Sequence, residues 1–596
     1  MIRTPLRPLA RILQARVRGE NPDAIERENL RLRHEAMRDA GRRRAEGRLL
    51  LTAVTFLAVF LVIGARMGLL AASSPAVPQS VLAEGVQGGR ADILDRNGRV
   101  LATNLATNAL YAEMRYMVDP VRAARELGRI FPDIDAERLE RQLSDPNRSF
   151  LWVRAHLSPE QEQQVHEIGE PGLLFGQRHM RLYPNGRLAA HVLGGAAFGE
   201  QGVRAAEIIG TAGIEHYFDT RLRDPERLEE PLRLSLDLPA QAVVQDVLAA
   251  GMRTLNAKGA TAVMMDVHTG EVMAMVSLPD FDPNSRPAPP TQGEPADSPL
   301  FNRAVQGYYE LGSVMKTLTV AQALDSGEVQ PETVIDIRGP LRWGRFSIRD
   351  FRNYGNELSV TRIMVKSSNI GTARLAQRMG AERQRAFLEK LGMLAPSGVE
   401  LAEAVRAHPQ FSDNWSELAT MTISYGHGLS TSPVQLAAAY SSLVNGGTRI
   451  TPTLLRQSGP QRGEQVISQL TSDQVRVMLR AVVEEGTASF ARVPGYAVGG
   501  KTGTADKPDP RGGYYEDRVI ATFASVFPSN DPRFVLIVTM DEPVETTGSE
   551  PRRTAGWTAV PVGAEIIRRV APLMGMSPLS ATEIETAMQN SLSAVR

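Results

Sequence analysis

In this 596-residue chain, Ser313-Val314-Met315-Lys316 sets a nucleophile and a proton acceptor at helical spacing. Gly312 precedes the stretch, and MKTLTVAQAL continues it as a helix. A serine at a helix start gains from the N-terminal dipole, which favours negative charge on its oxygen. Lys316 stands three residues on, so its amine falls on the same face one turn along. In a cleft, desolvation lowers an amine's pKa until it can take the serine proton. Taken alone, a Ser-x-x-Lys also fits an ordinary helix N-cap. Composition adds weight to the chemical reading. Of the 67 basic residues only six are lysine, and no other lysine stands three after a serine. Arginine stays protonated at any useful pH and cannot accept a proton, whereas lysine can.

Two further groups bear chemistry. Ser367-Ser368-Asn369 offers a hydroxyl that can relay a proton and an amide that can both donate to and accept from a substrate amide. A helix cap before IGTARLA is the plainer reading of those residues. Lys366 beside them adds positive potential or is simply solvated. Lys501-Thr502-Gly503-Thr504 follows Gly499-Gly500. Its threonines can bind a carboxylate, its lysine supplies charge, and its glycines let a substrate backbone approach closely. As an edge strand the segment could accept a peptide as an added strand. Gly495 to Thr502 also matches the phosphate-binding pattern GxxxxGK[ST]. TADKPDPRGGYY comes next, however, and no helix can begin there as a phosphate loop requires. No HExxH or GxSxG pattern occurs, and the nine histidines do not cluster as metal ligands.

The elements that must position these groups can be read coarsely. TAVMMDV and VMAMVSL flank HTGE as a hairpin. Helical runs dominate from Ser313 to about Gly447. Strands return at YAVGGKTGTA, VIATFASVF and RFVLIVTM, and GAEIIRRVAPLM closes the unit as a helix. Strands at both ends with helices between predict an α+β domain whose terminal strands share one antiparallel sheet. Upstream, Asn97-Gly98 between apolar runs predicts a tight turn. The region to about Pro231 carries no catalytic constellation and reads as a structural module. Acidic and basic residues balance at 67 each, so no global field draws the chain to nucleic acid. The absence of cysteine excludes disulfides, thiolate metal sites and cysteine nucleophiles.

Near the N-terminus, Leu49 to Ala72 is apolar except for Arg66 and is long enough to span a bilayer. Arg66 would sit near one end and reach the headgroups. Arg42, Arg43, Arg44 and Arg48 precede the span, and residues 73–89 carry no basic residue. The positive-inside rule then places the N-terminus in the cytoplasm. A cleaved secretory signal is the alternative, but nearly fifty residues before the apolar run is long for one.

Serine-x-x-lysine, serine-x-asparagine and lysine-threonine-glycine in this order resemble the set of penicillin-binding proteins and serine β-lactamases. From about residue 90 to about 570 the chain resembles the class B penicillin-binding proteins. Stretches such as ADILDRNGRVLA, RLYPNGRLAAHVLG, NRAVQGYYELGSVMK, GHGLSTSPVQLAAAYSSLVNGG and PGYAVGGKTGTA carry the likeness. SSN paired with PGYAVGGKTGTA is most similar to the septal type, whereas the elongation type usually has aspartate where Asn369 stands. The resemblance implies an α+β transpeptidase domain of the penicillin-binding and β-lactamase type, on an elongated N-terminal pedestal with one transmembrane helix. It divides the chain into an Arg-rich cytoplasmic tail at 1–48, an anchor at 49–72, a linker at 73–89, a dimerisation-type pedestal at 90–235, a transpeptidase domain at 236–573 and a tail at 574–596.

By that resemblance Ser313 would be acylated by the D-Ala-D-Ala end of a stem peptide, Lys316 would take its proton, and Ser367 would pass one to the leaving D-alanine. Asn369 would hold the donor amide. Lys501, Thr502, Gly503 and Thr504 would form the carboxylate-binding strand, and the N–H groups of Ser313 and Thr504 the oxyanion hole. No cofactor and no metal is implied. The implied partners are stem peptides on lipid II-derived strands, a SEDS-family glycosyltransferase and other division proteins of the inner membrane. Ala91, Leu311 and His427 depart from the family's usual glycine, proline, and tyrosine or glutamine. None of these removes a reacting group, and His427 reads as a wall or packed position. Residues Arg90 and Arg96 read as pedestal anchors. An elongation-type enzyme, a hydrolytic carboxypeptidase and a division scaffold with the same fold remain alternatives. The ExxLN segment of a class A β-lactamase is missing between Ser367 and Lys501.

Overall fold

The computed structural model describes residues 7–72, 89–198, 208–509 and 511–586, in two units, 1–86 and 87–596. Nearly all of the expected linker, and the ends of both expected tails, lie outside the described residues. In the first unit, helix α1 (Arg7–Val17) precedes a long helix α2 (Pro22–Ala72). Its stretch Gly47–Met67 has a mean hydropathy of 2.3, and none of it is buried against protein. A soluble helix this apolar would hide its surface, so length, composition and exposure together suit a bilayer.

The second unit begins with β1 (Ile93–Leu94), which turns back through Asn97-Gly98 into β2 (Val100–Glu113). The Asp95 carboxylate accepts the N–H groups of Asn97 and Arg99, both at 2.8 Å, and Gly98 supplies the positive φ of +86° that the turn needs. Strand β2 lies between β3 (Phe150–Leu157) and β4 (Leu173–Leu182), antiparallel to both, while β5 (Leu232–Arg233) pairs parallel with β1. Two cores result. Leu110 and Ala112 of β2 join Leu127, Phe131, Leu139 and Val165 in a small distal one. Ile93, Leu101, Ile214 and Leu232 instead join the large core that also holds Val263 and Leu536 of the following sheet. The base of the pedestal is thus packed into the next domain.

A buried ionic cluster locks that base. The side chains of Arg90 and Glu215 are fully buried, 2.5 Å apart. Arg181 reaches the other Glu215 oxygen at 2.6 Å, and Arg90 also meets Asp219 at 2.7 Å. Tyr183 donates to Glu215 at 3.2 Å; burial, and then that carboxylate, push its phenol above the usual range. Arg96 reaches Glu271, in the hairpin of the next domain, at 3.4 Å. Both arginines anchor the pedestal, as their sequence reading expects.

After α3 (Leu238–Thr254) come β6 (Gly259–Asp266) and β7 (Val272–Leu278). The helical middle contains α4 (Met315–Asp325), α5 (Val360–Lys366), α6 (Asn369–Met379), α7 (Pro433–Val444) and α8 (Gln469–Glu485). Strands β8 (Gly499–Pro508), β9 (Tyr514–Phe527) and β10 (Phe534–Asp541) and helix α9 (Ala559–Leu573) complete the domain. The sheet order is β8-β9-β10-β6-β7, all antiparallel, so strands from the two ends of the domain do share one sheet. Every residue of β10 is buried. A continuous apolar run of this kind suits a strand covered on both faces. Helices α3 and α9 pack together on the sheet, while α4, α7 and α8 form a second group that meets it through β6, β8, β9 and β10.

The segment expected to be a tail, 574–596, is docked at its start. Leu579 N–H donates to the Gly495 carbonyl at 2.9 Å, Tyr496 OH donates to the Met576 carbonyl at 3.3 Å, and Ile584 is buried. Met574 and Met576 extend the apolar face of α9 over the core.

Candidate active site

Ser313 stands in the single turn Gly312–Val314 that leads into α4. Three glycines bring foreign backbone against this turn. A Cβ on Gly312, whose φ is +63°, would lie 2.7 Å from the Thr504 carbonyl oxygen; one on Gly503 would lie 2.2 Å from that of Leu311; one on Gly426 would lie 2.0 Å from that of Gly312. Side chains there would push strand β8 and the 426 loop away from the serine. The Gly312 N–H donates to the Gly426 carbonyl at 3.3 Å, tying loop to turn. Ser313 is half-buried and faces a groove of about 520 Å³ that Ser367, Asn369, His427, Thr502, Thr504 and Trp557 also line.

Behind the groove lie two lysines with no exposed surface. The Lys316 amine contacts the Ser367 carbonyl at 2.6 Å, the Asn369 Oδ1 at 2.7 Å and the Ser367 Oγ at 3.1 Å. The Lys501 amine contacts the same Ser367 Oγ at 3.0 Å and the Thr502 carbonyl at 3.1 Å. Neither amine has an ion-pair partner among the described residues, so each would be an uncompensated buried charge if protonated. Burial pulls Lys501 down to about 7. Burial and then the neighbouring Lys501 hold Lys316 well below the lysine range, against a smaller opposing pull from Asp350. The lowering favours the neutral form of the Lys316 amine, and a hydroxyl able to both donate and accept lies between it and Lys501.

The Ser367 backbone is held left-handed, at φ 60° and ψ 46°, where α5 ends and α6 begins. Non-glycine residues persist there when their surroundings over-determine them. Asp350 provides that constraint. Its carboxylate accepts from Ser368 Oγ at 2.7 Å, Asn369 N–H at 2.6 Å and Ile370 N–H at 3.0 Å, occupying the positive end of α6. Asn369 spends its Oδ1 on Lys316 and one N–H on the Arg349 carbonyl at 2.9 Å, which leaves one donor and one acceptor position for a ligand.

The catalytic and substrate-binding residues named from sequence therefore converge on one place, with one difference in detail. Thr502 and Thr504 line the groove, while Lys501 stands behind Ser367 and Gly503 underlies the serine turn. Thr502 shares a 2.6 Å hydrogen bond with Thr487, and Thr504 Oγ1 accepts the Ala555 N–H at 3.0 Å. Sequence reasoning assigned no role to Asp350, Thr487 or Glu310. Glu310 accepts from Gly428 N–H at 2.6 Å, from Tyr514 OH at 3.0 Å and from His427 Nδ1 at 3.2 Å. Its position three residues before Ser313 was the only available signal. His427 lies on the groove wall, as expected.

Residues 260–566 match the penicillin-binding protein transpeptidase domain, and residues 86–228 match the penicillin-binding protein dimerisation domain. The chain is 36% identical over 506 residues to the probable peptidoglycan D,D-transpeptidase FtsI of Caulobacter vibrioides, with 83% of each chain covered. It is 30% identical over 530 residues to the probable peptidoglycan D,D-transpeptidase PenA of Neisseria gonorrhoeae, covering 83% of this chain and 87% of that one. Among solved structures it is similar to penicillin-binding protein 3 of Mycobacterium tuberculosis complexed with aztreonam. There the TM-score is 0.63 at 26% identity, over 82% of this chain and 97% of the other.

Proposed function

The chain belongs to the class B penicillin-binding proteins, with a dimerisation domain followed by a transpeptidase domain, and from that premise we propose that it cross-links peptidoglycan stem peptides through an acyl-enzyme on Ser313 at the division septum. One observation carries the assignment of roles: two buried amines that have no carboxylate partner among the described residues meet on the Ser367 hydroxyl, in the groove that Ser313 also lines.

The chemistry follows from that arrangement. Lys316, one turn along from Ser313 and with its neutral form favoured by burial, takes the hydroxyl proton as Oγ attacks the carbonyl of the penultimate D-alanine. The N–H groups of Ser313 and Thr504, on backbones pressed together by Gly312 and Gly503, receive the developing oxyanion. Ser367, in contact with Lys316, passes the proton to the leaving D-alanine. Thr502 and Thr504 hold the terminal carboxylate, with Lys501 adding positive potential from behind. Asn369 uses its remaining donor and acceptor on the donor peptide. The amine of a second peptide then attacks the ester. A β-lactam enters by the same first step and blocks Ser313.

The anchor Gly47–Met67, with arginines before it, orients the N-terminus to the cytoplasm and the catalytic domain to the periplasm. A SEDS-family glycosyltransferase and other division proteins are the partners this placement suits. Incubation with a fluorescent penicillin, followed by mapping of the labelled peptide, tests the central assignment. Label is expected on the peptide containing Ser313 and lost in Ser313→Ala; label retained in that variant would overturn it.

A further inference from the structure

We propose that His427 is a catalytic residue of the acyl-transfer step, whose Nε2 takes a proton from the acceptor peptide's ammonium group while Glu310 fixes the ring. The inference rests on Ser313 being the acylated residue. Gly426 lies against Gly312, so His427 is the next residue along from backbone that touches the residue before Ser313. Its side chain lines the same groove and is 30% exposed.

The tautomer follows from the partner. Nδ1 faces the Glu310 carboxylate at 3.2 Å, and that carboxylate also accepts the Gly428 N–H at 2.6 Å and the Tyr514 hydroxyl at 3.0 Å, both of which favour its ionised form. An ionised carboxylate cannot donate, so Nδ1 carries the hydrogen and Nε2 of the neutral ring presents its lone pair. Nε2 has no protein hydrogen bond among the described residues. The rings of Tyr425 and Tyr514 meet the imidazole edge-on at 5.5 and 5.8 Å and restrict its rotation. The groups that face it are therefore the carboxylate of Glu310, the two phenols of Tyr425 and Tyr514, and the charge of Asp506 from β8. The acidic groups of Glu310 and Asp506 give this wall a negative potential that suits an ammonium ligand.

The step needs such a group. An alkyl amine is mostly protonated near neutral pH, with a pKa of about 10, and an ammonium ion cannot attack. Its N–H bond breaks and the proton passes to His427 Nε2. The neutral amine then forms the N–C bond to the acyl carbon, and the C–O bond to Ser313 breaks. The amine's surplus proton travels through Ser367 and Lys316 to the Ser313 oxygen, and the imidazolium returns its proton to water. Lys316 and Ser367 are thereby left to the serine's proton, and the extra one has its own acceptor.

The full-length protein in detergent, given a D-alanyl thioester donor and a D-amino acid acceptor, reports transfer and hydrolysis together. In His427→Ala and His427→Gln the transfer-to-hydrolysis ratio is expected to fall about tenfold or more, the scale of a lost general base. Acylation by a fluorescent penicillin should fall less than about threefold, because the first step does not use that base. Added imidazole should restore part of the transfer in His427→Ala and none in the wild type. An unchanged ratio, or equal loss of acylation and transfer without imidazole rescue, would overturn the proposal while leaving Ser313 in place. Retained label in Ser313→Ala would remove both.

Discussion

Two buried sets of cations, one in the pedestal and one in the groove, meet opposite fates. Arg90 and Arg181 are buried at the pedestal base, and each faces its own oxygen of Glu215. Lys316 and Lys501 are buried behind the groove and, among the described residues, hydrogen-bond only to neutral oxygens, sharing the hydroxyl of Ser367. The first arrangement keeps its charges and joins parts of the fold. The second lowers the proton affinity of both amines, most usefully at Lys316, and thereby provides a base. Arginine suits the former because it holds its proton, and lysine suits the latter because burial can remove it. The contrast accounts for a chain so rich in arginine keeping lysine at its reacting positions.

The most damaging way to cross the two designs is Lys316→Arg. A guanidinium keeps its proton and cannot serve Ser313, so penicillin acylation should fall by roughly 10²–10⁴-fold in stopped-flow or gel assays, with the fold intact by circular dichroism. The reciprocal test is Glu215→Gln, which leaves the buried Arg181 without its carboxylate and Arg90 with Asp219 alone. It should destabilise the protein by about 3–5 kcal/mol in denaturant melts, while the folded fraction acylates at the wild-type rate.

A smaller effect sharpens the groove side. The Lys501 amine is lowered to about 7 in the folded protein, against 10.5 when unperturbed. Between those values the unfolded chain binds the extra proton, so wild-type stability should rise with pH across that window. Lys501→Met removes the group, so its melting temperature should exceed the wild type's by a few degrees near about pH 7 and converge toward about pH 10. A melting series in which the two proteins keep the same difference at every pH would contradict that reading.

How much of this could be read from residue order depends on the range of each interaction. The serine-lysine spacing is a local helical fact, and the buried run of β10 is a local pattern, so both were legible. So was the exclusion of a phosphate loop, since Pro508 and Pro510 follow the lysine-threonine pair. The sharing of Ser367 by two amines joins residues 316, 367 and 501, and nothing in any one stretch encodes it. Asp350 and Glu215 were illegible for the same reason: each is an ordinary acid until folding brings it to a helix start or to two arginines. The end of the chain misled through composition. SPLSATEIE is polar enough to read as a tail, yet Met574, Met576 and Ile584 give it an apolar side that docks.

The pH dependence of acylation tests most directly whether burial without a carboxylate makes Lys316 a base. Because burial and the neighbouring Lys501 lower the Lys316 amine, the second-order rate constant for a penicillin should complete its rise with pH well below the ordinary lysine range. A rate that climbs about tenfold per pH unit toward the ordinary lysine value of about 10.4 would mean that the amine enters the reaction protonated, and would contradict the account.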